Sequence, residues 1–119
     1  MTIYGYARVS GTSQDLNAQI AELKTKGNAE VIYHEKVTGT RRDRPEFNRL
    51  LSELKVGDTL VVTKLDRFAR SAEDAITIIK ALVKRDVRVH ILNMGIVEDT
   101  PTGRLMLTIL AGFAEFERD

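Results

Sequence analysis

The sequence predicts a three-layer α/β/α sandwich built on a mostly parallel sheet of four to five strands. Short runs of β-branched and apolar residues alternate four times with stretches of helical periodicity. Parallel neighbouring strands need crossover connections, and right-handed helical crossovers cover both faces of such a sheet. The 119 residues, of which 43% are hydrophobic, suit one domain with one core.

Each predicted element has its own local signal. Side-chain alternation along the first strand places Arg8 and Ser10 on the same face of the sheet. The boundaries of the elements are marked by three kinds of residue: hydroxyl residues that can cap a helix, a proline suited to the first helical turn, and glycines that end elements. The predicted strands are 2–9, 30–35, 59–63 and 87–92. One predicted helix, 14–26, follows Ser13, a second begins at Pro45, and a third is capped by Ser71. Polar or charged loops are predicted at 38–44 and 64–70.

The last segment, 102–119, is predicted to be a helix that is apolar on more than one side. One core cannot bury all of its large side chains, so a second partner is expected, most simply another copy of the chain. A buried central helix is the competing interpretation. No glycine cap or helix breaker follows Glu117 and Arg118, so we expect this helix to continue as a dimerisation helix.

Composition restricts the class of protein. The formal net charge is only +1, so any anion site must be local, but eleven of the eighteen cationic residues are arginines, which suit phosphate oxygens. Cysteine is absent, and His34 and His90 stand alone in apolar runs, so we expect no metal and no cofactor. No apolar stretch approaches the roughly 20 residues of a membrane span, which predicts a soluble, cytoplasmic protein without membrane contact.

Polar residues follow three of the predicted strands at the edge of the sheet where ligands gather in parallel α/β folds. This set can bind and attack a phosphodiester, because fixed guanidinium groups stabilise the charge of its transition state. Ser10 is the candidate nucleophile, Arg8 lies two residues before it, and the helix that begins near Gln14 adds its positive N-terminal end. The remaining candidates are Arg41, Arg42, Arg44, Asp66, Arg67 and Arg70.

Each of these signals has an ordinary structural explanation. A serine before a glycine is most often a turn or cap residue. Asp66 and Arg67 could form an exposed ion pair of small energetic value, and Arg41 and Arg42 could be a solvated loop patch. The conjunction of all these residues is what favours a catalytic site.

The motifs resemble those of the serine recombinase family of resolvases and DNA invertases. Two motifs carry most of the resemblance: Tyr6-Ala7-Arg8-Val9-Ser10 with Gln14, and the specific motif LDRFAR from Leu65 to Arg70. Gly11 and Phe68 depart slightly from the family pattern, at positions away from the expected chemistry. Further matches are Gln19, Thr38-Gly39, Gly57-Asp58, Asp43-Arg44-Pro45, Thr102-Gly103-Arg104 and Glu115-Phe116-Glu117-Arg118, so the resemblance covers the whole chain as one catalytic domain, 1–119.

The resemblance implies a recombinase in which Ser10 attacks a DNA phosphate and forms a 5′-phosphoserine link. It implies double-stranded DNA with a recombination site as substrate, a homodimer that becomes a tetramer during synapsis, and no metal or cofactor. It also implies a helix-turn-helix DNA-binding domain beyond this chain. By resemblance, Arg8, Arg44, Arg67 and Arg70 bind and activate the phosphate, Asp66 orients them, and Tyr6, Gln14, Gln19, Glu117 and Arg118 are supporting residues.

Several alternatives stay open at this point. The group that deprotonates Ser10 is not identified by the sequence. Resolvase, invertase and small transposase roles are not separated, because they depend on site arrangement and accessory proteins. A phosphate- or nucleotide-binding module is disfavoured by the absence of a Gly-rich phosphate loop. An inactive dimerisation scaffold is disfavoured by the intact set of arginines. The 38–44 loop is expected to be mobile without DNA.

Overall fold

The computed structural model describes residues 1–9, 13–36 and 44–118, with side chains described except at 13, 14 and 114–118. Five strands form one sheet in the order β2-β1-β3-β4-β5, in which only β5 is antiparallel to its neighbour. The strands are β1 (Ile3–Val9), β2 (Val31–Lys36), β3 (Thr59–Val62), β4 (Arg88–Ile91) and β5 (Gly95–Val97), and the helices are α1 (Ser13–Thr25), α2 (Pro45–Glu53), α3 (Ala72–Lys84) and α4 (Pro101–Arg118), with a 3-10 turn at Leu65–Arg67.

The two faces of the sheet carry separate clusters of buried side chains. On one face, Ala7 and Val61 pack with Leu23 of α1. On the other face, the larger cluster joins Tyr6 and the alternate residues of β3 and β4 to α2, α3 and α4, with Leu110 as its contribution from α4. Helices therefore cover both faces, which confirms the predicted three-layer sandwich.

The helix boundaries follow from capping chemistry. Pro45 opens α2, and the Ser71 hydroxyl accepts a hydrogen bond of 3.1 Å from the amide of Asp74 at the start of α3, as predicted. Helix α1 begins at Ser13 itself, one residue earlier than predicted. Strand ends lie within one residue of the predicted ends.

Two segments differ from the sequence prediction. The predicted charged loop at 64–70 contains the Leu65–Arg67 turn, and Phe68 and Ala69 behind it are buried. Phe68 lies 6.2 Å from Phe47, ring centre to ring centre, so an apolar anchor holds this polar segment against α2. Strand β5 was not predicted as a separate element, because three residues are too short to show alternation.

Helix α4 packs against α3 and β5 with one face and leaves another face exposed. Leu110 is buried, whereas Leu105, Ile109 and Phe113 are 59%, 60% and 58% exposed. In this chain, α4 is therefore not a buried central helix. Across the described ranges, no helix is both long and apolar enough to cross a bilayer.

Candidate functional site

The carboxyl ends of β1 and β3 bring Arg8 and Arg67 together. Arg8 donates from Nη2 to the backbone carbonyl of Asp66, and Arg67 donates from Nη1 to the backbone carbonyl of Arg8 at 3.1 Å. Arg67 also forms an ion pair of 3.5 Å with Asp15 of α1. Each guanidinium thus binds backbone at or beside the other arginine, which fixes both groups relative to the end of β1.

Gln19 of α1 also binds the backbone of Arg8. Its buried amide accepts from the Arg8 amide nitrogen at 3.2 Å and donates to the Arg8 carbonyl at 3.0 Å. Strands β1 and β3 pair only as far as Gly5 and Val61, so the backbone of Arg8 has no strand partner on that side. The Gln19 side chain therefore pairs with the backbone at the end of β1, where a neighbouring strand would otherwise pair with it.

Arg44 reaches the same region from the start of α2. Its guanidinium donates to the backbone carbonyl of Phe68, lies 4.9 Å from the ring centre of Phe47 and approaches the Asp74 carboxylate at 3.9 Å. Its side chain is only 11% exposed. Burial, ring stacking and a carbonyl acceptor together leave this arginine little conformational freedom.

Arg67 carries a further signal of an anion site. Its Nε is buried and has no hydrogen-bond partner among the described residues. Buried N–H groups are nearly always paired, so this donor is available to an acceptor other than the described residues. A guanidinium offers five N–H donors, so Arg8, Arg44 and Arg67 retain donors for phosphate oxygens beyond the carbonyls they already bind.

Asp66 and Arg70 lie at the rim of the site. Asp66 is exposed, and it contacts Arg8 through its backbone carbonyl and not through its carboxylate. The exposed Asp66–Arg67 ion pair considered as an alternative does not form, because Arg67 pairs with Asp15. The Arg70 guanidinium is exposed and makes no contact with the other arginines within the described residues. Both residues line a groove of about 270 Å³, which Phe113 of α4 also lines.

Tyr6 is fully buried on β1, two residues before Arg8. Its hydroxyl donates to Glu35 at 2.5 Å, and its ring packs 4.7 Å from that of Phe47. Burial and then the Glu35 hydrogen bond raise the pKa of Tyr6 above its usual value, although Arg8 and Arg44 oppose the shift. The Tyr6 hydroxyl therefore keeps its proton more firmly than a free tyrosine does.

Several candidates lie outside the described residues. These are Ser10, Arg41, Arg42 and the 38–43 part of the loop expected to be mobile, together with the side chains of Gln14, Glu117 and Arg118. The two histidines are not at the site: His90 lines a groove at the amino ends of the strands, where partial burial lowers its pKa, and His34 lies on β2. Within the described ranges, no cluster of side chains suits a metal ion.

Three residues of the site were missed by sequence reasoning. Asp15 binds Arg67 and Gln19, Asp74 binds Arg44, and Glu35 binds Tyr6. Asp15 carries a weak signal, since it lies four residues before Gln19 on the same helix face. Glu35 and Asp74 carry none that one sequence could show, because their partners are distant in the chain.

The chain matches a known protein family along almost its whole length. The family model of the resolvase N-terminal domain matches residues 3–119. The chain belongs to this family. Serine recombinase PinR of Escherichia coli is 39% identical over 98% of the chain and 63% of that protein, and the transposon Tn552 resolvase of Staphylococcus aureus is 41% identical over 97% of the chain and 59% of that protein. The chain thus spans about three fifths of the length of these relatives.

Solved structures agree with the family. The N-terminal catalytic domain of TP901-1 integrase superimposes with a TM-score of 0.77 at 32% identity, covering 99% of this chain and 97% of that one. A resolvase-family site-specific recombinase from Streptococcus pneumoniae gives a TM-score of 0.74 at 27% identity, covering 99% and 88%. The fold is therefore that of the catalytic domains of these recombinases, as the sequence motifs predicted.

The role of the Gln19 amide can be tested by a change that removes its polar atoms and keeps an apolar side chain in the buried position. Gln19→Leu leaves the backbone amide and carbonyl of Arg8 without this buried partner, so we expect the free energy of unfolding to fall by about 1–3 kcal/mol. Urea denaturation measures the change. Asn17→Leu, at an exposed position of the same helix, is the control and should stay within about 0.5 kcal/mol of the wild type. Equal effects of the two substitutions would contradict the role given to Gln19.

Proposed function

We propose that this chain is the catalytic domain of a site-specific DNA recombinase of the resolvase or invertase type, in which Ser10 attacks a DNA phosphate. The observation that carries the proposal is the mutual contact of Arg8 and Arg67 at the end of β1, two residues before Ser10. Each guanidinium there binds a backbone carbonyl at or beside the other arginine. Relatives named resolvase and serine recombinase support the reaction class.

The proposed reaction exchanges one phosphodiester bond for another. The Ser10 hydroxyl oxygen attacks phosphorus, the bond from phosphorus to the 3′-oxygen breaks, and a 5′-phosphoserine and a free 3′-hydroxyl result. The proton leaves Ser10 for a base, and the departing 3′-oxygen gains a proton. Attack by a 3′-hydroxyl on the phosphoserine reverses the reaction, so the ester conserves the bond energy and rejoining needs no ATP.

The arginines have distinct proposed roles. Arg8, Arg44 and Arg67 would bind the non-bridging oxygens, and their charge would stabilise the pentacoordinate transition state. The unpaired Nε of Arg67 is the donor best placed to gain a partner when phosphate binds. Arg70 and Asp66 would act at the rim, and Gln14, Glu117 and Arg118 would be supporting residues. This chemistry asks for no metal or cofactor.

The proposed partners are double-stranded DNA and further copies of the chain. The exposed stripe of Leu105, Ile109 and Phe113 on α4 would pair two chains into a dimer, and two dimers would form the synaptic tetramer. We propose that 102–119 is the start of this dimerisation helix and that a helix-turn-helix domain outside 1–119 would recognise the DNA site. A DNA substrate would place the enzyme in the cytoplasm, at the nucleoid.

The nucleophile is tested by trapping the covalent intermediate. The chain, joined to a helix-turn-helix DNA-binding domain, is given supercoiled DNA with paired sites, and the reaction is quenched midway. We expect protein attached to DNA 5′ ends for the wild type and none for Ser10→Ala, because no other group replaces the hydroxyl.

The control for this experiment is Ser52→Ala, an exposed serine on α2, which should react like the wild type. If wild type and Ser10→Ala assembled on DNA alike and neither became attached, the result would contradict the proposed enzyme and would favour an inactive scaffold.

The dimer interface is tested by one charge on the exposed stripe. Ile109→Glu places a carboxylate in the middle of the apolar contact, so self-association should weaken at least about tenfold. Sedimentation velocity measures it. Ala111→Glu adds the same charge about 200° round the helix at another exposed position and should leave association unchanged. A monomeric wild type at all concentrations, or a dimer that survives Ile109→Glu, would contradict the assignment.

A further inference from the structure

The Asp15 carboxylate, in the first turn of α1, contacts the same two nitrogens that bind the carbonyl of Arg8. Its Oδ2 accepts from Gln19 Nε2 at 3.3 Å and forms an ion pair of 3.5 Å with Arg67 Nη1. The Arg8 carbonyl accepts from these two nitrogens at 3.0 and 3.1 Å. Two acceptors, one neutral and one negatively charged, therefore share one pair of donors.

Of these two acceptors, the Arg8 carbonyl is the closer one. Its two distances are those of ordinary hydrogen bonds, whereas the two distances to Asp15 are longer. The Asp15 side chain is also 45% exposed, so water competes for its carboxylate and the ion pair contributes little to stability. Without that carboxylate, Arg67 would still be bound to the Arg8 carbonyl. What Asp15 contributes to the site is therefore its negative charge and not the position of Arg67.

This negative charge lies beside the donors that the proposed function assigns to phosphate. Arg67 is the arginine whose Nε is buried without a partner in the described residues, and its Nη1 already faces the Asp15 carboxylate. A phosphate bound to this guanidinium would come close to Asp15, and like charges at short distance repel each other. Because the Asp15 side chain is partly exposed, it can turn toward water when an anion binds.

We propose that Asp15 is an internal competitor for the anion site on Arg67, whose carboxylate lowers the affinity of the site for phosphate. This proposal rests on the proposed function, because it takes Arg67 as a ligand of the DNA phosphate. The consequence is that the chain binds a single phosphate more weakly than its arginines alone would. Firm binding then depends on further contacts with a longer DNA.

The chain offers matched controls for this charge. Glu30→Gln removes one negative charge from an exposed residue just before β2, at the opposite edge of the sheet from Arg67. It matches Asp15→Asn in net charge but not in place. Asp15→Glu keeps the charge in place on a longer side chain, whereas Asp15→Ala removes both the charge and the polar group.

The test is a titration of the 119-residue chain with inorganic phosphate at a constant ionic strength of about 0.1 M. The Nε–Hε NMR signal of Arg67, assigned by its loss in Arg67→Lys, reports binding at the unpaired donor. We expect Asp15→Asn and Asp15→Ala to lower the Kd about threefold or more, because a repelling charge is removed. Asp15→Glu should bind phosphate no more tightly than the wild type.

Screening by salt separates a local charge from a distant one. Glu30→Gln should stay within about 1.5-fold of the wild-type Kd, because the length of a strand, roughly 20 Å, exceeds the Debye length of about 10 Å. At an ionic strength of about 1 M, where the Debye length is about 3 Å, the advantage of Asp15→Asn should also fall below about 1.5-fold.

Three outcomes would overturn the proposal. The first is a Kd that is unchanged or raised in Asp15→Asn, and a raised value would mean that the carboxylate positions Arg67 for phosphate. The second is an equal gain from Glu30→Gln, which would be an effect of net charge alone. The third is an Arg67 signal that responds to phosphate in none of these chains. Thermal unfolding checks that each variant is folded, and Asp15→Ala replaces Asp15→Asn if the latter is not.

Cleavage is measured separately, so the two proposals can fail independently. If Asp15→Asn binds phosphate more tightly but the wild type, joined to a DNA-binding domain, forms no covalent link to DNA, only the proposed function fails. If the wild type forms the link at Ser10 but Asp15→Asn leaves the Kd for phosphate unchanged, only the competition by Asp15 fails.

Discussion

The backbone of Arg8, at the end of β1, is the constraint on which the site depends. Strand β3 leaves β1 after Gly5, so the amide and carbonyl of Arg8 lack a strand partner on that side. Buried backbone groups must be paired, and here Gln19 and Arg67 provide the pairing. The need to complete the sheet thus places an arginine guanidinium beside the strand that leads to Ser10. Fold stability and the placement of the candidate catalytic group have the same physical cause.

Backbone carbonyls hold three of the four arginines of the site, Arg8, Arg44 and Arg67. A carbonyl orients a guanidinium without adding a negative charge. Arg67 and Arg44 in addition form ion pairs of 3.5 and 3.9 Å with the carboxylates of Asp15 and Asp74. The fold itself thus holds these guanidinium groups in place, which is what the proposed electrostatic stabilisation of a transition state requires. The fourth, Arg70, is exposed at the rim.

Local signals in the sequence were sufficient for the first four strands, for the four helices and for the edge of the sheet that carries the candidate site, but not for β5 or for the Leu65–Arg67 turn. Periodicity and caps such as Pro45 and Ser71 placed the helices, and the strand ends brought Arg8 and Arg67 to one edge. The family motifs added Gln19 but not its contacts. Sequence reasoning could not find Glu35 or Asp74, because their partners are brought close by the tertiary fold. Nor could it show that Asp66 serves Arg8 through a carbonyl, since every residue has one.

The proposed attack by Ser10 on DNA is tested by mapping the residue that carries the covalent link. The trapped protein–DNA product is digested with nuclease and protease, and the peptide that carries the nucleotide is sequenced by mass spectrometry. We expect a single modified residue, Ser10, joined to a 5′-phosphate. A nucleotide on another residue such as Tyr6, or a link to a 3′-phosphate, would contradict it.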